Sequence, residues 1–234
     1  MILTRRILLL GAPLFLASCA TGGGRRNANL QQAAFTPDPY YVSLYGGIED
    51  DRFPVQAVNL AKVPPKYWRR EVPYETAEQP GTIVVDPNQR FLYLVQENGR
   101  AIRYGVGVGK TEAFNFQGEA TIARKAEWPR WTPTPDMIRR DPELNEPYRN
   151  GMPGGVDNPL GARALYLYRD GRDTLYRLHG TTNPATIGTK VSSGCVRLMN
   201  QDIIDLYNRV PTGTKVIVLP SAPAPEEAPL PDMV

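Results

Sequence analysis

Apolar positions between Thr82 and Leu219 fall into short runs separated by turn sequences, a pattern of strands rather than long helices. Thr82-Ile83-Val84-Val85 and Phe91-Leu92-Tyr93-Leu94-Val95 flank Asp86-Pro87-Asn88, a turn sequence, which predicts a hairpin. Asn98-Gly99 leads into the run from Ile102 to Val108 and signals a second hairpin. Gly118 to Ala126, Arg163 to Arg169, Leu175 to Leu178 and Lys215 to Leu219 read as further strands, with Asp170-Gly171 joining the second of these to the third. One helix is well signalled: Asn200 is a candidate cap, and Ile203, Ile204, Tyr207 and Val210 recur at helical spacing before Gly213. A shorter helix is expected at Thr134-Pro135, since proline suits the first helical position. The expected fold is therefore mostly β, an antiparallel β-sandwich or partly closed barrel with one or two short helices packed on the sheet edge. No internal repeat is present.

The ends of the chain have a different character. Arg5 and Arg6 precede an apolar run from Ile7 to Ala17, the charged start and short core of an export signal. The run falls short of the roughly 20 apolar residues that a spanning helix needs. It ends in Leu16-Ala17-Ser18-Cys19, which resembles the lipobox of bacterial lipoproteins; Thr4-Arg5-Arg6 also loosely resembles a twin-arginine signal. The lipobox resemblance implies removal of 1–18 and a diacylglycerol on Cys19, the open alternative being ordinary cleavage that leaves Cys19 a free thiol. Residues 19–39 are then a flexible tether and 40–80 an extension too apolar for a linker. The strand-rich domain takes in 81–219, and 220–234 is a Pro/Ala-rich disordered tail. Ala20, after the lipidated position, resembles the signal for outer-membrane delivery. The expected location is the cell envelope, lipid-anchored on the periplasmic face, and on the outer membrane where a cell has two.

Charge narrows the partners. The 234-residue chain carries a net +3, which falls by two to +1 when Arg5 and Arg6 leave with the signal, and no basic stripe suggests nucleic acid. Cysteine and histidine usage then supplies candidate chemistry. His179 is the one histidine of the sequence, and with Cys19 lipidated Cys195 has no intramolecular disulfide partner. A thiol of pKa about 8.5 needs a nearby base to act as a nucleophile, and a His-paired cysteine can fall to roughly 3 to 4. His179 ends a predicted strand, and the polar loop Thr181 to Ser193 can double back to bring Cys195 near it. Gly194 permits close backbone approach, so the amides of Ser193, Gly194 and Cys195 outline an oxyanion hole. These features define acyl transfer through a thioester. One histidine without clustered partners cannot supply the usual zinc ligands, and no metal or cofactor is expected.

His179-Gly180-Thr181, the 16-residue interval, and Ser192-Ser193-Gly194-Cys195-Val196-Arg197-Leu198-Met199-Asn200 together resemble the signature of the L,D-transpeptidases, the YkuD-type catalytic domain. The resemblance runs from about Gly81 to Leu219 and includes Asn158-Pro159-Leu160-Gly161. Papain-like thiol peptidases place Cys before His, the reverse order. The resemblance implies attack on the carbonyl of the third residue of a peptidoglycan stem tetrapeptide and release of D-alanine. The acyl group then passes to an amine: a diaminopimelate side chain, a lysine of an envelope protein or a D-amino acid. Carried over by position, Cys195 is the nucleophile, His179 the general base and acid, and the Gly180 carbonyl the group that orients the imidazole. Ser193 stands where many members have histidine, so any mechanism here rests on one imidazole.

Several residues carry two readings each. Arg197 either binds a stem-peptide carboxylate or pairs with Asp202 or Asp205. Arg163 is a weaker candidate of the same kind. Trp131, with Trp128, either lines a lid over the substrate or anchors a loop, and Ser192 either donates within the site or stabilises its turn. A hydrolase or L,D-endopeptidase that removes crosslinks or wall-bound proteins shares every step up to deacylation. A lipid-tethered wall-binding protein with an inactive site is a third possibility, and the intact Cys195 and His179 argue against it.

Overall fold

The computed structural model describes residues 36–49, 52–110, 116–192 and 194–221. Along this described chain run β1 (Arg70–Pro73), β2 (Ile83–Asp86), β3 (Phe91–Gln96), β4 (Arg100–Gly105), β5 (Val108–Gly109), β6 (Gly118–Glu127), β7 (Arg163–Arg169), β8 (Arg172–His179), β9 (Lys190–Ser192), β10 (Val196–Arg197) and β11 (Lys215–Val218). Nine of them form one sheet in the order β1-β4-β3-β2-β11-β6-β7-β8-β10, while β5 and β9 pair separately. Most neighbours are antiparallel, but β11 on β2, β10 on β8 and β9 on β5 run parallel. The sheet stays open, with β1 and β10 at its edges, so the sandwich-like layering is realised rather than a closed barrel.

The turn sequences close the hairpins as their chemistry requires. Asp86 Oδ1 accepts from the amides of Asn88 and Gln89, both at 2.9 Å. Asp170-Gly171, the two residues between paired Arg169 and Arg172, adopt positive φ at both positions, the twist that two-residue hairpins favour, and Asn98-Gly99 do so in a three-residue loop that begins at Glu97. The run expected to continue to Val108 instead breaks after Gly105, where the Tyr67 backbone crowds the chain and a Cβ would overlap it.

Both faces of β2 and β3 are buried, which explains their continuous apolar runs. Ile83, Val85, Leu92 and Leu94 join the core with Ile122, Leu165, Leu178, Ile203 and Leu206. Val84, Phe91, Tyr93 and Val95 face the opposite way, into a second core built by Tyr45, Leu60, Val63, Tyr67 and Trp68 of the 40–80 extension. The same extension supplies the edge strand β1, which sequence pattern does not show because only Val72 in it is a non-proline apolar residue.

The described residues hold four short α-helices, where one or two were expected: α1 (Pro39–Leu44), α2 (Pro135–Arg140), α3 (Pro142–Asn145) and α4 (Asn200–Arg209). Thr134 Oγ1 caps α2 through the Met137 amide at 3.2 Å, but α2 buries no residue and packs on α3 rather than on the sheet. α4 packs on β7 and β8 through Ile203 and Leu206. Asn200 does not cap it: Met199 takes the cap position without a side-chain bond, and Asn200 opens the helix itself.

Candidate active site

His179 is the last residue of β8, and the polar loop after it returns to the same sheet edge as β10. There Val196 lies opposite Leu178 and Arg197 opposite His179 in parallel register, and the Leu198 amide donates to the His179 carbonyl at 2.8 Å. Cys195 therefore immediately precedes a strand that runs alongside the end of β8. A second segment locks this arrangement from the other side: Gly107 and Arg197 exchange both backbone hydrogen bonds at 2.9 Å.

The imidazole is almost fully buried, at 4% exposure, and its Nδ1 lies 2.6 Å from the Gly180 carbonyl. A carbonyl only accepts, so Nδ1 carries the proton and Nε2 keeps its lone pair. Burial, and secondarily the Arg197 charge, bring the His179 pKa down to about 3 against the pull of the Gly180 and Leu160 carbonyls. The ring is neutral at neutral pH.

Cys195 is a half-buried free thiol. Its Sγ donates to the Leu175 carbonyl at 3.9 Å, and the Arg177 amide faces the sulfur. Burial pushes the thiol pKa up, helped by Asp173, while the Arg177 amide and the charges of Arg177 and Arg197 oppose this. The low thiolate pKa of an ion-paired cysteine is thus not what this arrangement favours. Desolvation outweighs the nearby cations, and thiol and imidazole are both uncharged.

Leu175 and Arg177 went unnoticed in the sequence, and the reason is a bulge. Tyr166 opposes Arg177 and Tyr168 opposes Asp173, so three residues of β8 stand against Leu167 alone. Leu175 takes φ +63° there, and Thr174 Oγ1 fills the gap by donating to the Leu167 carbonyl at 2.6 Å. The bulge turns the Leu175 carbonyl toward Cys195. The only sequence hint is Asp173-Thr174, two residues that form local side-chain turns, just before the apolar run begins.

The remaining candidates separate by their contacts. Ser192 Oγ donates to the Cys195 carbonyl at 2.7 Å and accepts from the Gly194 amide at 3.1 Å, so its hydroxyl holds the turn. That bond also occupies the Gly194 amide, which was expected in an oxyanion hole; among the described residues the Cys195 amide has no such bond. Ser193 lies outside the described residues, as does Cys19. Arg197 is not paired with Asp202 or Asp205: those carboxylates bond Tyr45 and Arg69, and Tyr104, Arg69 and Arg209, respectively. Its half-buried guanidinium stays close enough to Cys195 for their charges to couple. Arg163 instead turns toward α4, stacking on Tyr207 at 5.5 Å and donating to the Ala162 carbonyl at 2.8 Å. Trp128 is buried against Phe53 and Val55, whereas Trp131 is half-exposed, bridged to Met152 and in ring contact with Tyr148.

Comparison with known proteins agrees with this geometry. The sequence model of the YkuD family, the L,D-transpeptidase catalytic domain, matches residues 80–218. A probable L,D-transpeptidase of Escherichia coli K12 is 35% identical over 140 residues, which span 59% of this chain and 44% of that protein. One from Salmonella typhimurium LT2 is 39% identical over 139 residues, 58% of this chain and 43% of that protein. The chain thus spans less than half the length of these curated relatives. A solved structure from Brucella melitensis, named a probable carnitine operon oxidoreductase, shares 52% identity over 69% of this chain and 99% of that one, with a TM-score of 0.47. The activity in that name is said of that protein. With the family match extending over more than half of its length, this chain belongs to the L,D-transpeptidase catalytic-domain family.

Proposed function

We propose that the protein is a peptidoglycan L,D-transpeptidase acting through a thioester on Cys195. The sulfur attacks the carbonyl carbon of the third residue of a stem tetrapeptide, and the thiol proton passes to Nε2 of His179. The Cys195 amide receives the developing oxyanion, a contact worth about 3 kcal/mol. Collapse breaks the bond to the terminal D-alanine, whose nitrogen takes the proton from the imidazolium as it leaves. An acceptor amine then attacks the thioester and gives a proton to His179, and the departing thiolate is reprotonated. A neutral thiol and neutral imidazole suit this sequence, because the proton moves only as the sulfur–carbon bond forms. The Arg197 guanidinium, not paired with a carboxylate of α4, binds a stem-peptide carboxylate.

What supports this most is the pairing of β10 on β8, which sets Cys195 beside the strand that ends in His179. Purified protein incubated with a tetrapeptide muropeptide is expected to release D-alanine and to gain the acyl mass on Cys195. H179A should lose on the order of 10²- to 10⁴-fold in that rate. No release from protein whose Cys195 is reduced and alkylatable would overturn the proposal, and products formed with water alone, despite added amine, would make it a hydrolase.

Export and lipidation belong to the same proposal: 1–18 is removed and Cys19 anchors the protein, through the 19–39 tether, to the periplasmic face of the envelope. Mass spectrometry of the mature N-terminal peptide should show a diacylglyceryl Cys19, and an unmodified cysteine there would refute the anchor.

A further inference from the structure

We propose that Asn200 is a positioning residue for His179, holding in place the Gly180 peptide whose carbonyl bonds the imidazole. In its activity readout this rests on His179 as the base. Asn200 opens α4, yet no side chain caps that helix. Its Oδ1 reaches across instead and accepts from the Ala162 amide at 3.0 Å.

The space it occupies exists because both flanking residues are glycine. A Cβ on Gly161 or on Gly180 would overlap Asn200 Oδ1, and a Cβ on Gly161 would also come within 2.8 Å of the Gly180 carbonyl carbon and the Thr181 nitrogen. The peptide between Gly180 and Thr181 therefore lies in a slot with Gly161 behind it and Asn200 beside it. The Gly180 amide is fixed as well, donating to the Arg163 carbonyl at 3.1 Å. This is the peptide whose oxygen sits 2.6 Å from His179 Nδ1. The same Asn200 bond tethers the chain two residues after Leu160, whose amide is held by Asn158 Oδ1 at 2.9 Å.

The chemical consequence concerns the tautomer. The Nδ1–H bond to Gly180 leaves the Nε2 lone pair free to take a proton from the thiol; a Gly180 carbonyl that swings away releases that preference. Among the described residues Asn200 makes no hydrogen bond to the ring, so it acts through the Gly180 peptide.

The sequence holds a single histidine, so an untagged full-length chain labelled with ¹⁵N-histidine gives one imidazole spectrum. Wild type should show the Nδ1–H tautomer alone. N200A should show a mixture of tautomers and a shifted imidazole titration, with kcat falling more than KM changes and kcat/KM down on the order of 100-fold. N200D, which keeps an acceptor for the Ala162 amide, should restore the Nδ1–H tautomer. Should N200A fail to fold by thermal unfolding, N200S, whose shorter side chain falls short of Ala162, is read in its place and should show the same mixture. An unchanged tautomer and titration in the folded N200A or N200S variant would overturn the proposal, as would N200D behaving like N200A. Absence of D-alanine release from wild type would sink the transpeptidase reading while the spectroscopic test still decides the role of Asn200.

Discussion

At the scale of single residues, His179 and Cys195 are both held where burial favours their uncharged forms, and this sets an expected pH profile. With the imidazole titrating at about 3 and the thiol pushed upward, the neutral pair persists across the middle of the pH range. The acylation rate should be flat through pH 6.5, the ordinary histidine value. A limb with an apparent pKa between 6 and 7 in single-turnover D-alanine release would contradict the assignment. The residue types and their interval of 16 were legible in the sequence, because acyl transfer by a thiol demands a base. The charge state was not, since desolvation depends on everything packed around the pair. Nor were Leu175 and Arg177, which meet the sulfur through main-chain groups that any side chain can carry.

At the scale of elements, the junction between the extension and α4 makes two predictions. Gln201 Nε2 donates to the Gly46 and Gln56 carbonyls at 2.9 Å, and Asp202, wholly buried, bonds Tyr45 and faces Arg69. Burial raises the Asp202 pKa to about 7, against the pull of Arg69. Its folded value thus lies above its unfolded one, so its contribution to stability is complete below about pH 4 and is lost as pH rises through 7. Relative to wild type, D202N should be more stable at pH 8 than at pH 5, by roughly 2.5 kcal/mol, in urea unfolding at the two pH values. A difference that does not change between them would remove Asp202 as the titrating group. The second prediction concerns Gly188, at φ +84°, where a Cβ would overlap the Tyr67 ring. G188A combines left-handed strain with overpacking and should cost about 2 to 4 kcal/mol of stability, read as a shift in the urea midpoint. Full tolerance of alanine would mean that the extension is not seated against this loop.

At the scale of the whole molecule, the extension completes the fold. Val84, Phe91, Tyr93 and Val95 would face water without it, so a chain beginning at Gly81 should bind a hydrophobic dye and unfold at lower temperature than one beginning at Thr36. Equal melting temperatures for the two would show the second core to be dispensable. The sequence by itself determined most of the strand runs, the hairpins at Asn98-Gly99 and Asp170-Gly171, and the order and spacing of His179 and Cys195, because backbone conformation and residue chemistry are local. Only the tertiary structure decided the insertion of β11 between β2 and β6, the edge strand β1, the separation of Arg197 from Asp202 and Asp205, and the wedge of Asn200 between Gly161 and Gly180. Each of these depends on residues far apart along the chain, as when the distant Arg69 takes Asp202 and Asp205, and there close packing and desolvation select the partner and a sequence pattern carries no record of it.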